Sequence, residues 1–339
     1  MPCDDSTCCN EGSTLSLMPS VVHAFAPAKV NLALSVGPLQ RDGMHEIASW
    51  MTTLDLCDDL TLTRLPLGTC SRYAIEWHTD ARSKADIDWP VRSDLAVRAH
   101  EALEARLARR LPVQLRLQKR IPVGGGLGGG SSNAAAMLRG LDALFELRLR
   151  PEFLEEVARP LGSDVPFFVR GGSAIVELRG EQLQRARDQR VHVVLVFPQI
   201  ACPTGAVYRA FDALTRTTSV DVQRVRALTA SSPASSALFN DLAEAACIIA
   251  PQLTALRGEI AALTQQPVHV SGSGSTLFLL ADDAMHADAL AQLIERTLSV
   301  VALASVSAPT PIEIVDGDVR AIDAISSDRD DEDDVRFNP

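Results

Sequence analysis

The chain is poor in several features, and each shortage removes a class of protein. Only 4% of its 339 residues are aromatic, and 32 Lys and Arg face 43 Asp and Glu, a formal net charge of −11. A general nucleic-acid binder needs a basic face that displaces counterions, so that class is excluded. A local basic pocket for a phosphorylated small molecule is not. No apolar run approaches the roughly 20 residues of a membrane span. The longest candidates, such as VHVVLVF at 191–197, read as buried strands. The first basic residue is Lys29, so the beginning lacks the positive region of a secretory signal. The seven cysteines, an odd number, form no C-x-x-C pair and no Cys/His spacing suited to zinc. Free thiols in a reducing compartment follow, and with them a cytoplasmic protein with no nucleic-acid and no membrane partner.

What is present has the composition of a globular protein, 46% hydrophobic, and a length that favours two domains. Residues 1–20 lack periodicity and read as a disordered leader carrying Cys3, Cys8 and Cys9; residues 316–339 read as an acidic disordered tail. Between them VNLALSV alternates as a strand, and LTLT (60–63), YAIEW (73–77) and VQLRL (113–117) continue a β-rich opening. Residues 93–111 read as a helix with Ser93 as N-cap and Leu95, Ala99, Leu103 and Leu107 on one stripe. The spacing of Ala134, Met137, Leu138, Leu141, Leu144 and Phe145 predicts a second helix over about 132–148, capped by Ser131 or Ser132. A polar stretch, RGEQLQRARDQR, places the domain boundary near 180–190, giving domains over 21–185 and 190–310.

The most informative stretch is IPVGGGLGGGSSNAA, residues 121–135. Six glycines lose much chain entropy on ordering, so the loop needs something to hold. A dinucleotide fingerprint fits Gly124-x-Gly126-x-x-Gly129 only formally, because Pro122 interrupts the strand-to-glycine step and the acid expected about 20 residues on is missing. A Walker loop needs Lys before its Ser or Thr, and here Ser131 follows Gly130 directly. A flexible linker rarely feeds so strongly patterned a helix. An anion nest remains: glycine backbone wraps an oxyanion with several N–H groups, and the following helix adds free amides and its positive dipole end. Such a loop binds a polyphosphate through dipoles alone, so any formal charge must come from elsewhere.

The loop resembles the phosphate loop of the GHMP kinases, the superfamily of galactokinase, homoserine kinase and mevalonate kinase. APAKVNLALSVGPLQRDGMHEI (26–47) and GSDVPFFVRGGSAIVE (162–177) are similar to one branch of it, the kinases of a cytidine diphosphate ester of a branched sugar alcohol. FNDLAEAACIIAPQL and VSGSGSTLFLL agree in the second half, so the resemblance runs from about 25 to 300. It implies an α+β, two-domain GHMP kinase fold, with a ribosomal protein S5 domain 2-like N-terminal domain and a ferredoxin-like C-terminal domain. It also implies ATP and Mg2+ as cofactors, a small-molecule substrate, and a monomer or homodimer. Another GHMP small-molecule kinase, of mevalonate or homoserine type, and a non-catalytic nucleotide-binding sensor are the alternatives. The Asp-Gly-Met-His segment argues against the first, and intact Lys29 and Asp164 against the second.

Roles follow from the resemblance residue by residue. Asp164 accepts the hydroxyl proton, and Lys29 keeps it ionised and relieves charge on the transferring phosphoryl group. Lys119, Pro122, Gly124, Gly125, Gly126, Leu127, Gly128, Gly129, Gly130, Ser131, Ser132 and Asn133 hold the nucleotide, with Ser132 as the metal ligand. Asn31, Met44, His45, Tyr208, Gly272, Ser273 and Gly274 bind the acceptor substrate. His45 reads the cytosine edge. Met44 stands where many relatives have an aromatic ring, which shifts base stacking toward Tyr208. Asp94 replaces a common Asn and puts adenine contacts there in doubt.

Overall fold

The computed structural model describes residues 20–180, 182–214, 219–308, 312–315 and 335–337. Most of the expected leader and tail therefore lies outside the described residues. The strands are β1 (Val21–Leu39), β2 (His45–Arg64), β3 (Arg72–Trp77), β4 (Val113–Lys119), β5 (Ser173–Leu178), β6 (Gln182–Arg185), β7 (His192–Phe197), β8 (Phe239–Asn240), β9 (His269–Val270), β10 (Leu277–Ala281), β11 (Val301–Val306), β12 (Ile312–Val315) and β13 (Val335–Phe337). The helices are α1 (Leu95–Leu107), α2 (Gly129–Leu144), α3 (Pro151–Ala158), α4 (Val165–Arg170), α5 (Thr204–Leu214), α6 (Val222–Leu228), α7 (Ala243–Ile249), α8 (Pro251–Thr264) and α9 (Ala284–Leu298).

Two sheets organise the molecule. The first runs β12-β1-β2-β4-β3-β13, with β5 also paired to β2, β6 to β5, and β8 to β1. The second is β11-β7-β10-β9, and its pairings are all antiparallel. Helices pack against both sheets, the mixed α+β arrangement expected from the sequence. Helices α1 to α4 cover one face of the first sheet around a core containing Leu60, Leu62, Leu103, Leu138 and Phe167. The second sheet packs α5, α7, α8 and α9 around Val194, Phe211, Leu253, Leu277 and Ile294. A third core, with Trp50, Leu32, Val193, Leu195 and Phe278, joins the two sheets.

Strand β1 is long enough to serve all three cores, and its register against β2 shifts between Pro27 and Lys29, between Asn31 and Ala33, and between Val36 and Leu39. A bulge lets one strand turn its side chains toward successive surroundings, and it also accommodates Pro27, which has no N–H to give a ladder. Ala24 and Ala26 face the first core, Val30 and Leu32 the third, and Leu34 and Val36 the second.

Several local expectations are corrected. Helix α1 is capped by Asp94, whose Oδ1 accepts from Ala96 N at 2.8 Å, and not by Ser93, which sits in a preceding 3-10 turn. Helix α2 begins at Gly129, three residues early, and ends at Leu144. Its N-cap is Gly128 in the left-handed region (φ 71°), with no side-chain cap from either serine. Only glycine enters that conformation cheaply, so the helix starts inside the glycine run and its unpaired first-turn amides belong to Gly129, Gly130 and Ser131. The polar stretch near 180–190 contains β6, which closes a hairpin on β5 before the chain crosses to the second sheet. Val335–Phe337, within the expected tail, lies parallel to β3.

Candidate active site

One cleft of about 1020 Å³ gathers segments distant in sequence, from β1, the loop after β4, the start of α4, α5 and the turn after β9. The glycine loop forms one wall. Its Gly125 O accepts from Thr276 N at 3.2 Å, and its Gly126 O accepts from Ser271 Oγ at 3.0 Å. The second glycine turn thus braces the first. A Cβ on Gly126 (φ 76°) would stand 2.2 Å from Ser271 O, and one on Gly128 would stand 2.8 Å from the Phe168 ring. These two glycines are required by close approach as well as by positive φ.

Lys29 enters this wall from β1. Its backbone N–H, freed by the bulge, donates to Leu127 O at 2.9 Å. Its ammonium donates to Asn31 Oδ1 at 2.6 Å and lies 3.7 Å from Asp164 Oδ2. Asn31 Nδ2 donates to Ser49 Oγ at 2.8 Å, which donates to Ala33 O, so the amide is held with its oxygen toward the lysine. Burial pushes the Lys29 pKa below its usual value, and the Asp164 carboxylate opposes that shift. Asp164 is 28% exposed and faces the cleft at the N-terminus of α4.

Lys119 is differently engaged from the expectation. It lines the cleft, but its ammonium donates to Asp58 Oδ2 at 2.6 Å, and both side chains are buried. Asp58 Oδ1 also accepts from Arg120 N at 2.6 Å and Ile121 N at 2.8 Å. The pair therefore fixes the end of β4 where the chain enters the glycine loop. The sequence reading missed Asp58, which sits beside Asp59 and near Asp55 on β2, so nothing local shows that it alone turns inward and needs a partner. Ser131 lines the cleft, whereas Ser132 and Asn133 do not. The Ser132 hydroxyl and both polar atoms of the Asn133 amide are buried without hydrogen-bond partners, at the helix end where an anion would dock. Asp94 lines the cleft with its carboxylate committed to Ala96 N and to Trp89 Nε1 (3.2 Å).

The opposite end of the cleft is aromatic. His45 Nδ1 lies 2.8 Å from Gly37 O, an acceptor, so Nδ1 carries the proton. His45 Nε2 is 3.5 Å from Asp212 Oδ1, and the ring lies 5.0 Å from that of Tyr208, tilted by 36°. Burial pushes the Tyr208 hydroxyl up to about 12. Met44 is 47% exposed at the rim, its N–H bonded to Asp42 Oδ1, and Asp42 is paired with Arg179 at 2.5 Å. Arg179, Arg209 and Asp212 line the cleft and were not foreseen, because nothing local in sequence sets them apart from surface charges. Gly272 and Ser273 line it too, with Ser273 Oγ 2.9 Å from Thr204 Oγ1; Gly274 stands behind them. Asn240 holds this turn, donating to Val270 O at 2.8 Å and Gly272 O at 2.7 Å.

A phosphate-type cradle opening on a lysine–carboxylate couple, within this fold, defines a small-molecule kinase of the GHMP class. The GHMP kinases N terminal domain matches residues 94–172. The 4-diphosphocytidyl-2-C-methyl-D-erythritol kinase of Exiguobacterium sibiricum is 35% identical over 263 residues, 76% of this chain and 88% of that protein. The enzyme of the same name from Rhodococcus jostii is 38% identical over 279 residues, 80% of this chain and 87% of that one. A crystal structure of 4-(cytidine 5'-diphospho)-2C-methyl-D-erythritol kinase superposes with a TM-score of 0.67 at 32% identity, covering 84% of this chain and 99% of the other. The chain belongs to the 4-diphosphocytidyl-2-C-methyl-D-erythritol kinase family and is an ATP-dependent kinase of a small molecule. Among the described residues no helix is long and apolar enough to cross a membrane.

Proposed function

We propose that this enzyme transfers the γ-phosphoryl group of ATP to the 2-hydroxyl of 4-diphosphocytidyl-2-C-methyl-D-erythritol. The reading rests chiefly on one observation. The Lys29–Asp164 couple lies between the glycine cradle and the His45–Tyr208 end of a single cleft. A nucleotide triphosphate at the first end and a cytidine at the second bring an alcohol and a phosphoryl group together beside Asp164.

The free amides of Gly129, Gly130 and Ser131 hold the phosphates. Asp164 takes the hydroxyl proton as the new O–P bond forms, and ADP leaves with the electrons of the broken bond. Lys29 orients Asp164 and offsets charge on the phosphoryl oxygens. Tyr208 stacks on the base with Met44 on its other side, and the Gly272–Ser273 turn meets the diphosphate or sugar portion.

Among the described residues no group of three or more His, Cys, Asp or Glu could hold a metal ion. That suits Mg2+, which binds chiefly through substrate phosphates and water with one or two protein oxygens. The unpartnered Ser132 hydroxyl fits as its protein ligand, with Ser131 nearer the cleft. When bound, the ion would neutralise charge on the β- and γ-phosphates. The odd number and scattered spacing of the cysteines in the sequence are the ground for proposing a cytoplasmic setting.

Incubation with ATP and Mg2+ against the cytidine diphosphate substrate, mevalonate and homoserine tests the reading. Phosphorylation of the cytidine substrate alone is expected. Turnover of mevalonate or homoserine in its place, or nucleotide binding without any turnover, would reject it.

A further inference from the structure

Arg139, on α2 nine residues beyond Gly130, is buried with no carboxylate partner among the described residues. A buried cation without a counterion is costly, so its local role calls for a physical reason. Its guanidinium donates from one terminal nitrogen to Phe168 O and from the other to Phe25 O, the latter at 3.1 Å. Burial lowers its pKa only to about 10, so it stays charged at neutral pH.

The two carbonyls belong to the segments that carry the reacting groups. Phe168 lies in α4, whose N-cap is Asp164, and its N–H donates to Asp164 O at 3.4 Å. Phe25 is four residues before Lys29 on β1. The Phe168 ring lies directly under Gly128, where an added Cβ would come within 2.8 Å of the ring and 3.2 Å of Lys29 Cγ. Ring, lysine stem and left-handed glycine therefore meet at one point, and Arg139 grips the backbone behind it from two sides. The Phe168 carbonyl is in the last turn of α4, where helix carbonyls lack intrahelical partners and a cation is favoured.

We propose that Arg139 is a positioning residue for phosphoryl transfer. By tying α4 to β1 it fixes the spacing of Asp164 and Lys29 beneath the glycine loop, and it touches neither substrate. The inference rests on the Lys29–Asp164 reading given above. A planar fork with two donors spans two separate carbonyls, whereas a lysine is a single point charge.

The test compares Arg139→Lys, Arg139→Met, Asp164→Asn and the double variant Arg139→Lys/Asp164→Asn by thermal unfolding and single-turnover kinetics. Arg139→Lys is expected to fold, to lose about tenfold or more in kcat with KM for both substrates nearly unchanged, and to have little further effect in the Asp164→Asn background. Added guanidinium at low concentration should restore part of the Arg139→Met rate. Wild-type kcat in a folded Arg139→Lys protein would overturn the proposal. So would an equal loss in the Asp164→Asn background, or a failure of both Arg139 variants to fold, which would make the guanidinium a prop of the fold itself. Failure of the underlying reading looks different: Asp164→Asn alone would then turn over at the wild-type rate, whatever the Arg139 variants do.

Discussion

The Asp164 carboxylate stands 3.7 Å from the Lys29 ammonium, with the lysine side chain 5% exposed and the aspartate 28%. The ammonium is thus removed from water while the carboxylate keeps contact with the cleft. Asp164→Asn is expected to lower kcat by roughly 10²- to 10⁴-fold with little change in ATP affinity. Rapid-quench turnover beside calorimetric titration of ATP checks this, and a rate near wild type would remove Asp164 from the role of base.

The same couple sets a pH dependence. Burial lowers the Lys29 pKa from 10.5, and Asp164 raises it in part. Activity should therefore fall on the alkaline side below pH 10.5, as the buried ammonium loses its proton. In Asp164→Asn that limb should move to lower pH, because an influence favouring the charged form is gone. For stability the sign is opposite. Between the folded pKa and 10.5 the unfolded chain binds more protons than the native one, so this group's contribution rises with pH. Lys29→Met should abolish turnover without lowering the melting temperature, and a large drop in that temperature would contradict the assignment of burial as the dominant influence.

Asp58 and Lys119 form a fully buried pair at the edge of the cleft, at 2.6 Å. Removing one partner strands the other, at a cost of about 3–5 kcal/mol. Asp58→Asn is expected to destabilise by that order in urea unfolding and to weaken ATP binding, because Arg120 N and Ile121 N lose their anchor at the loop entrance. A change below about 1 kcal/mol would make the pair energetically idle.

Gly126→Ala puts a methyl group 2.2 Å from Ser271 O at a residue with φ 76°. Gly274 O stands only 3.0 Å away as well, and both atoms are backbone of one turn, so the turn cannot yield cheaply. Separation of the two glycine turns is expected, with ATP affinity falling at least tenfold. Gly124→Ala is the control. It has the same backbone strain (φ 70°) with open space around the added carbon, so it should cost less. Equal effects would point to strain alone.

Met44→Phe should tighten binding of the cytidine substrate by roughly three- to tenfold, since base–aromatic stacking is worth about 1–3 kcal/mol. Met44 is exposed at the rim and has room for a ring. Tyr208→Ala should do the reverse and weaken binding more in the native background than in Met44→Phe. Calorimetry with the substrate decides, and unchanged affinity in Met44→Phe would count against stacking at that position.

Much of this was legible along the chain. The alternation of VQLRL and YAIEW, and the 3.6-residue spacing after the glycines, are local consequences of burying one face, so β3, β4 and α2 could be read directly. The uncharged glycine run also determined that main-chain dipoles, and not side-chain charge, would line the cradle. Where α2 begins was not local in that sense: an αL glycine against the Phe168 ring starts it, and the serines that looked like caps lie inside its first turn.

Only the tertiary structure could decide which charges are free to act. The resemblance set Lys29 beside Asp164 and Lys119 at the nucleotide; in the fold Lys29 does stand beside Asp164, whereas the inward turn of Asp58 on β2 pairs with Lys119. Asp212 meets His45, and Arg139 meets Phe25 O, across separations of more than one hundred residues, while Arg139 reaches Phe168 O across 29. Periodicity records which face a residue presents, because that is set by its neighbours in the chain. Partnership depends on which distant surface is pressed against that face, and the tertiary packing of strands and helices determines it.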